Sequence, residues 1–258
     1  MADRMAERQV DHPSPLIRGT DSASVAPATR PPSPLIAYLR AVIAIARKDL
    51  TAEVRSRELI SAMLVFSLLV VLVFNFALEL DRAARETVSA GVLWVTFMFS
   101  GTLGLNRAFA QEKDRGSMDG LLLAPVDRTA IYFGKLISTL AIMLLVEAVV
   151  IPVFSVLYNI SLFQPLVLVT ILLGTLGYAG VGTLLASMAV HTRTRDVILP
   201  ILQFPVTVPV ILAAVKASTG FLAAADWSEV SLWLNILVVY DTIFLAVAYM
   251  VFDYVVEE

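Results

Sequence analysis

The sequence predicts an all-α integral membrane protein with six transmembrane helices, and three observations carry that reading. Of 258 residues, 58% are hydrophobic and 16% charged, with a mean hydropathy of +0.81; soluble domains run near ~45–50% apolar and ~25% charged. A soluble core cannot hide that much apolar surface, so lipid is part of the solvent. Six apolar stretches follow one another, each near the ~20 residues that cross ~30 Å of hydrocarbon as a helix. The basic residues collect in alternate loops, as expected of an oriented bundle.

Residues 1–34 hold six of the twelve prolines, with Asp3, Glu7, Asp11 and Asp21 and no apolar run. This is a disordered cytoplasmic tail by composition, and not a cleaved signal peptide. Residues 35–58 then show helical periodicity. Leu35, Leu39, Val42, Ile43 and Ala46 share a face, and Arg40, Arg47, Lys48, Arg55 and Arg57 supply charge. That pattern suits an interfacial helix on the inner leaflet.

The spans are placed at about 59–79, 88–106, 131–157, 166–189, 197–217 and 231–253. The third is long enough to tilt or to project beyond the bilayer. Nine Lys/Arg precede the first span. Five (Arg107, Lys113, Arg115, Arg128, Lys135) lie between the second and third, and Arg193 and Arg195 between the fourth and fifth. The alternate side holds Arg82, Arg85 and Lys216. Both termini are therefore expected in the cytoplasm. Trp227 and Trp233 flank the start of the last span, as interfacial anchors do.

Composition also excludes whole classes of function. Cysteine is absent, which removes disulfides, thiolate catalysis and thiolate metal sites. His12 and His191 are the only histidines, too few for a histidine metal cluster. A net charge of -3 does not suit a nucleic-acid partner. No G-x-x-x-x-G-K-[ST] loop occurs: Gly134-Lys135 is followed by Leu136, and Thr129 stands where the first glycine belongs. No nucleophile–base pair or metal cluster is apparent, so an enzyme is not expected.

The most informative segment is 106–135, between the second and third spans. Arg107, Glu112, Lys113, Asp114, Arg115 and Asp119 give a dense alternation of charge. Leu121 to Leu123 follow, Pro125 stops the run, and Asp127 or Thr129 is positioned to cap the next helix. The segment reads as a short surface helix with a charged face and an apolar foot, or as a solvated linker; three leucines beside the membrane favour a docking element.

Glu112 to Pro125 (E-K-D-R-G-S-M-D-G-L-L-L-A-P) resembles the same loop of the cytochrome c-type biogenesis haem exporter protein B family. Gly116, Ser117, Met118, Asp119, Leu121, Leu122, Leu123 and Pro125 fit the family's pattern, and Gly120 departs from it. A second match runs from Leu172 to Pro209, and the likeness covers roughly residues 40–250. The long Pro-rich N-terminus departs from the family, so nothing is carried over to it.

The resemblance implies a permease subunit of a type II ABC exporter-like complex in the bacterial inner membrane, required for haem delivery in c-type cytochrome maturation. Residues 35–258 would be its transmembrane domain. Glu112, Lys113, Asp114, Arg115, Gly116, Ser117 and Asp119 would form a coupling helix seated on a separate ATPase subunit. Haem is the implied cargo or is carried by a chaperone released from the complex; no cofactor is bound covalently, and ATP acts only through the partner. A haem-handling membrane subunit, a small single-span subunit and a periplasmic haem chaperone are the other implied partners. Six spans are half of the usual twelve, so a second copy of the chain is expected. Export of another lipophilic substrate, or a scaffold that transports nothing, are the alternatives.

Within the spans, several groups are candidates. Glu147 in the third costs ~2.5–3.5 kcal/mol on insertion scales, so it is expected to face protein, water or a partner subunit. Thr175, Ala179, Thr183 and Ser187 recur every four residues among Gly174, Gly177, Gly180 and Gly182. They form a small-residue face for close helix packing, within the chain or between copies. Pro200, Pro205 and Pro209 mark helix kinks, either static or lining a substrate path.

Overall fold

The computed structural model describes residues 33–77, 82–114, 126–189 and 195–255, with backbone alone at 82–87, 109–114, 195–196 and 253–255. Those residues form seven helices: α1 Pro34–Ser56, α2 Glu58–Ala77, α3 Arg82–Asp114, α4 Arg128–Tyr158, α5 Pro165–Ala189, α6 Arg195–Leu222 and α7 Trp227–Val255. Six are long and apolar enough to cross a membrane: Glu58–Ala77, Val88–Ala108, Arg128–Tyr158, Pro165–Ala189, Val197–Leu222 and Trp227–Phe252. The tail over 1–34 lies, except for Ser33 and Pro34, outside the described residues.

α1 and α2 are separate elements joined by a one-residue break. Pro34 stands at the start of α1, where a missing N–H costs nothing. Arg57 ends the helix in the left-handed conformation (φ 54°), its N–H donating to Glu53 O at 2.7 Å. Glu53, buried on the last turn of α1, accepts Ile60 N–H at 2.9 Å through Oε1. Glu53 thus closes α1 through its backbone carbonyl and caps the first turn of α2 through its carboxylate, which fixes the elbow between them.

The stripe expected in the acyl boundary is divided: Leu35, Leu39 and Ile43 are exposed, while Val42 and Ala46 are buried together with Ile45 and Glu53. α1 packs against α4, so the helix also turns a side to protein, which tertiary packing selected.

Around α5 the other helices close. It packs against α6, α7, α4 and α3, and two thirds of its apolar window is buried, whereas α2 is the least enclosed span. Glycine makes the close approaches: a Cβ on Gly174 would overlap the Trp94 ring of α3, and one on Gly182 would overlap Leu105 and Gln203. Trp94 Nε1 donates to Ser218 Oγ of α6 at 3.0 Å. Tyr132 donates to Gly180 O at 3.0 Å, Tyr178 to Met98 O at 2.7 Å and Tyr240 to Val206 O at 2.7 Å. These bonds join α4 to α5, α5 to α3 and α7 to α6, and direction of this kind is needed where lipid supplies no hydrophobic drive between helices.

α6 runs unbroken through Pro200, Pro205 and Pro209, with the last two exposed on its outer side. Helix α3 continues well past its apolar window to Asp114.

Candidate functional site

The candidate coupling segment begins on the last turn of α3 and lies before the start of α4. Glu112, Lys113 and Asp114 lie on the final turn of α3, with their backbone alone described. Arg115, Gly116, Ser117 and Asp119 lie outside the described residues. The start of α4 is firmly anchored. Asp127 is the N-cap of α4, accepting Thr129 N–H at 2.9 Å, and Thr129 Oγ1 is 2.7 Å from the same carboxylate oxygen.

The first two turns of α4 are clamped to α1. Thr129 Oγ1 lies 3.2 Å from the Tyr38 hydroxyl. Burial, with the Asp127 carboxylate adding to it, raises the Tyr38 hydroxyl above its ordinary range, which keeps it a neutral hydrogen-bonding group. One turn on, Gly134 lets α1 approach until a Cβ there would stand 2.7 Å from Ile45 Cβ and 3.1 Å from Val42 O. Lys135 follows, 4% exposed, with Nζ 3.7 Å from Asp49 Oδ2. Ser138 donates to that same oxygen at 3.3 Å, and Lys48 Nζ is 3.1 Å from Asp49 Oδ1. Lys135, read from sequence as a loop cation, is therefore a buried member of an α1–α4 ion pair. At the same end of the bundle, Arg107 of α3 pairs with Glu58 at the start of α2. Every described helix that flanks the coupling segment is tied to a neighbour there by a charged contact.

Deeper in the bundle, polar side chains converge on α5. Glu147 of α4, 3% exposed, accepts Thr175 Oγ1–H at 2.8 Å through Oε1, and its Oε2 has no partner. Thr175, Ala179, Thr183 and Ser187 are all buried within the single chain. Ser187 donates to Leu184 O at 2.7 Å, and Thr183 Oγ1 is unpaired. Asp241 of α7 lies over Gly177, where a Cβ would overlap Oδ1, and neither of its oxygens is hydrogen-bonded. Gln203 of α6 lies over Gly182, fully buried, with both amide atoms unpaired.

Asp241 and Gln203 were missed by the sequence reading. The signal for Asp241 was present: a lone carboxylate in LVVYDTIFL obeys the rule that singled out Glu147. Gln203, beside Pro205, carries no such charge. The Asp49–Lys135 pair has no signal, because eighty-six residues separate its partners in the chain.

Comparison with known proteins adds an independent finding. The profile of the CcmB protein family matches residues 40–257. Heme exporter protein B of Rhodobacter capsulatus is 29% identical over 173 residues, covering 66% of this chain and 78% of that protein. Its counterpart in Paracoccus denitrificans is 27% identical over 180 residues, covering 69% and 83%. The Escherichia coli K12 protein of the same name is 27% identical over 94 residues, 36% of this chain and 43% of that protein.

Proposed function

This chain belongs to the CcmB protein family, and from that premise we propose that it is the permease subunit of an ABC transporter delivering haem for c-type cytochrome maturation. It is a multi-pass protein of the bacterial inner membrane and works as a transporter subunit, not as a catalytic enzyme. The observation that carries the reading is the extent of the family match, which runs from α1 through all six spans.

ATP is hydrolysed by a separate subunit, since the chain has no phosphate-binding loop of its own. That subunit presses on residues 112–119, with Glu112, Lys113, Asp114, Arg115 and Asp119 making the charged contacts and Gly116 and Ser117 shaping the turn. Force enters by two routes. One is α3, whose helix already includes Glu112, Lys113 and Asp114. The other is α4, whose first turns carry α1 with them through Tyr38–Thr129 and Asp49–Lys135. Glu147, Asp241 and Gln203 are the groups whose pairing changes as the bundle rearranges, because each has a buried polar atom unpaired in the present state. The prolines of α6 are where its path bends. Both termini face the cytoplasm, and a second copy, a haem-handling membrane subunit, a small single-span subunit and a haem chaperone complete the assembly. Because Thr175, Ala179, Thr183 and Ser187 are already enclosed within the chain, the second copy docks elsewhere.

The test is deletion of the chain in its host, followed by haem staining of c-type cytochromes, together with purification of the tagged protein in mild detergent. Loss of covalent haem and recovery of an ATP-hydrolysing partner are expected. Normal cytochrome c maturation in the deletion strain would overturn the assignment.

A further inference from the structure

We propose that Asp241 is a proton-binding site inside the bundle: its carboxyl carries a proton while α7 is seated on α5, which links the seating of α7 to proton binding. Such a site is independent of what the protein transports.

Asp241 is 5% exposed. It stands about 21 Å along α7 from Trp227 and about 16 Å from Phe252, the two ends of the apolar window. Glycine makes its place. A Cβ on Gly177 of α5 would overlap Asp241 Oδ1, and Val210 of α6 borders the same point, with Cγ2 2.9 Å from it. Neither carboxyl oxygen has a hydrogen-bond partner.

No described cation faces the carboxyl. α7 packs against α4, α5 and α6, and α5 carries no charged residue. The basic groups of α4, Arg128 and Lys135, lie near the turn where Tyr132 meets Phe252, about 16 Å along α7 from Asp241. On α6, Arg195 and Asp196 are about 20 Å or more along the helix from Val210, and Lys216 is exposed. On α7 itself, Glu229 and Asp253 are each twelve residues away. The hydroxyls of the region are engaged: Tyr240 with Val206 O and Thr242 with Val238 O at 2.7 Å, Thr207 with Gln203 O at 2.9 Å, Tyr178 with Met98 O at 2.7 Å and Tyr132 with Gly180 O at 3.0 Å. Glu147 is turned away. Residues two apart on a helix stand about 200° apart, so Glu147, which meets α5 at Thr175, lies across that helix from Asp241, which meets it at Gly177.

A carboxylate left bare among apolar side chains is far costlier than the neutral acid. A cation must therefore sit with it, and the surroundings select which one. A metal ion takes several oxygen ligands, and Gly177 and Val210 offer none. A proton binds one carboxyl covalently and needs no other ligand. An aspartic acid in water gives up its proton near about pH 4, so the seated form holds one proton more at neutral pH. Rising pH therefore favours the state in which α7 has left α5.

The test is infrared spectroscopy of the full chain, with whatever subunits co-purify, in detergent at neutral pH. Glu147→Gln leaves Asp241 as the buried carboxyl within the spans. It is expected to show the carbonyl band of a carboxylic acid, equally in sodium and in choline buffer. Glu147→Gln with Asp241→Asn should lack the band. Aspartate labelled with heavy carbon at its carboxyl should shift the band, which assigns it without a substitution in α7. Linkage is read in unfolding by mixed detergent. From neutral to alkaline pH the wild-type unfolding constant should rise against that of Asp241→Asn by up to about tenfold per pH unit, the effect of one bound proton. Absence of the band from Glu147→Gln, its survival in the double variant, or its failure to shift on labelling overturns the proposal. So does its loss in sodium buffer, or unfolding constants of wild type and Asp241→Asn that keep one ratio across that pH range.

Discussion

Thr175 donates a 2.8 Å hydrogen bond to Glu147, joining α5 to α4 inside the apolar part of the bundle. The bond leaves Glu147 Oε2 unpaired. It is the described contact that accounts for an acidic residue in the third span. Thr175→Val removes the donor while keeping the shape. Interhelical bonds of this kind average about 0.6 kcal/mol and reach about 1.7 kcal/mol. We expect a loss near the upper value, read as a lower midpoint of unfolding in mixed detergent, with Glu147→Ala costing more than Thr175→Val because it also opens a cavity.

Gly174 faces the ring of Trp94, which is 1% exposed and fixed by its bond to Ser218. Such a ring cannot swing aside. Gly174→Ala should therefore cost about 1–3 kcal/mol as overpacking. Gly91, which has open space around its Cβ direction, is the matched control. Gly91→Ala should be neutral or slightly stabilising, since alanine outranks glycine in a helix. Thermal denaturation of the two variants in the same detergent separates these outcomes.

Lys135→Met should destabilise the packing of α1 on α4 by about 2–3 kcal/mol, below the range for a fully enclosed pair, since Asp49 keeps 19% exposure. Adding Asp49→Asn should recover only part of the loss, because Asp49 keeps Lys48 at 3.1 Å when Lys135 is gone. Limited proteolysis of α1 reports the change. A double variant no better than Lys135→Met alone would show that the ammonium has other work there.

Glu53→Ala removes the carboxylate that caps Ile60 N–H beside the left-handed break. The loss of such a cap costs about 0.5–2 kcal/mol. The elbow should open locally while the spans stay folded. The readout is trypsin cleavage after Arg57, expected to speed up several-fold with no change in helix content by circular dichroism.

Asp114→Lys with Asp119→Lys should weaken retention of the ATPase subunit on affinity resin without lowering the unfolding midpoint of the permease. Undiminished retention would remove residues 112–119 from the coupling contact.

Much of the architecture was legible in the sequence because its causes are local. An apolar run near twenty residues specifies each span, and the start of α4 follows from capping chemistry at Asp127. Glu147 was legible because an acid in a span must find a partner. The face of α1 was not. Leu39 and Ile43 are as apolar as Val42 and Ile45, and only Gly134, eighty-nine residues beyond Ile45, decides which pair meets protein. The unpaired Asp241 over Gly177 belongs to the same class, since the space that admits it is made by a residue on another helix.

α3 is a single rod of 33 residues, about 50 Å from end to end and longer than the bilayer is thick. Near its middle Gly101 and Gly104 are hemmed in by Met143, Tyr178 and Met63, so a Cβ at either would collide. If a partner subunit presses on residues 112–119 as proposed, that pinch is the pivot: the Arg82 end would move opposite to the Asp114 end without any helix having to slide.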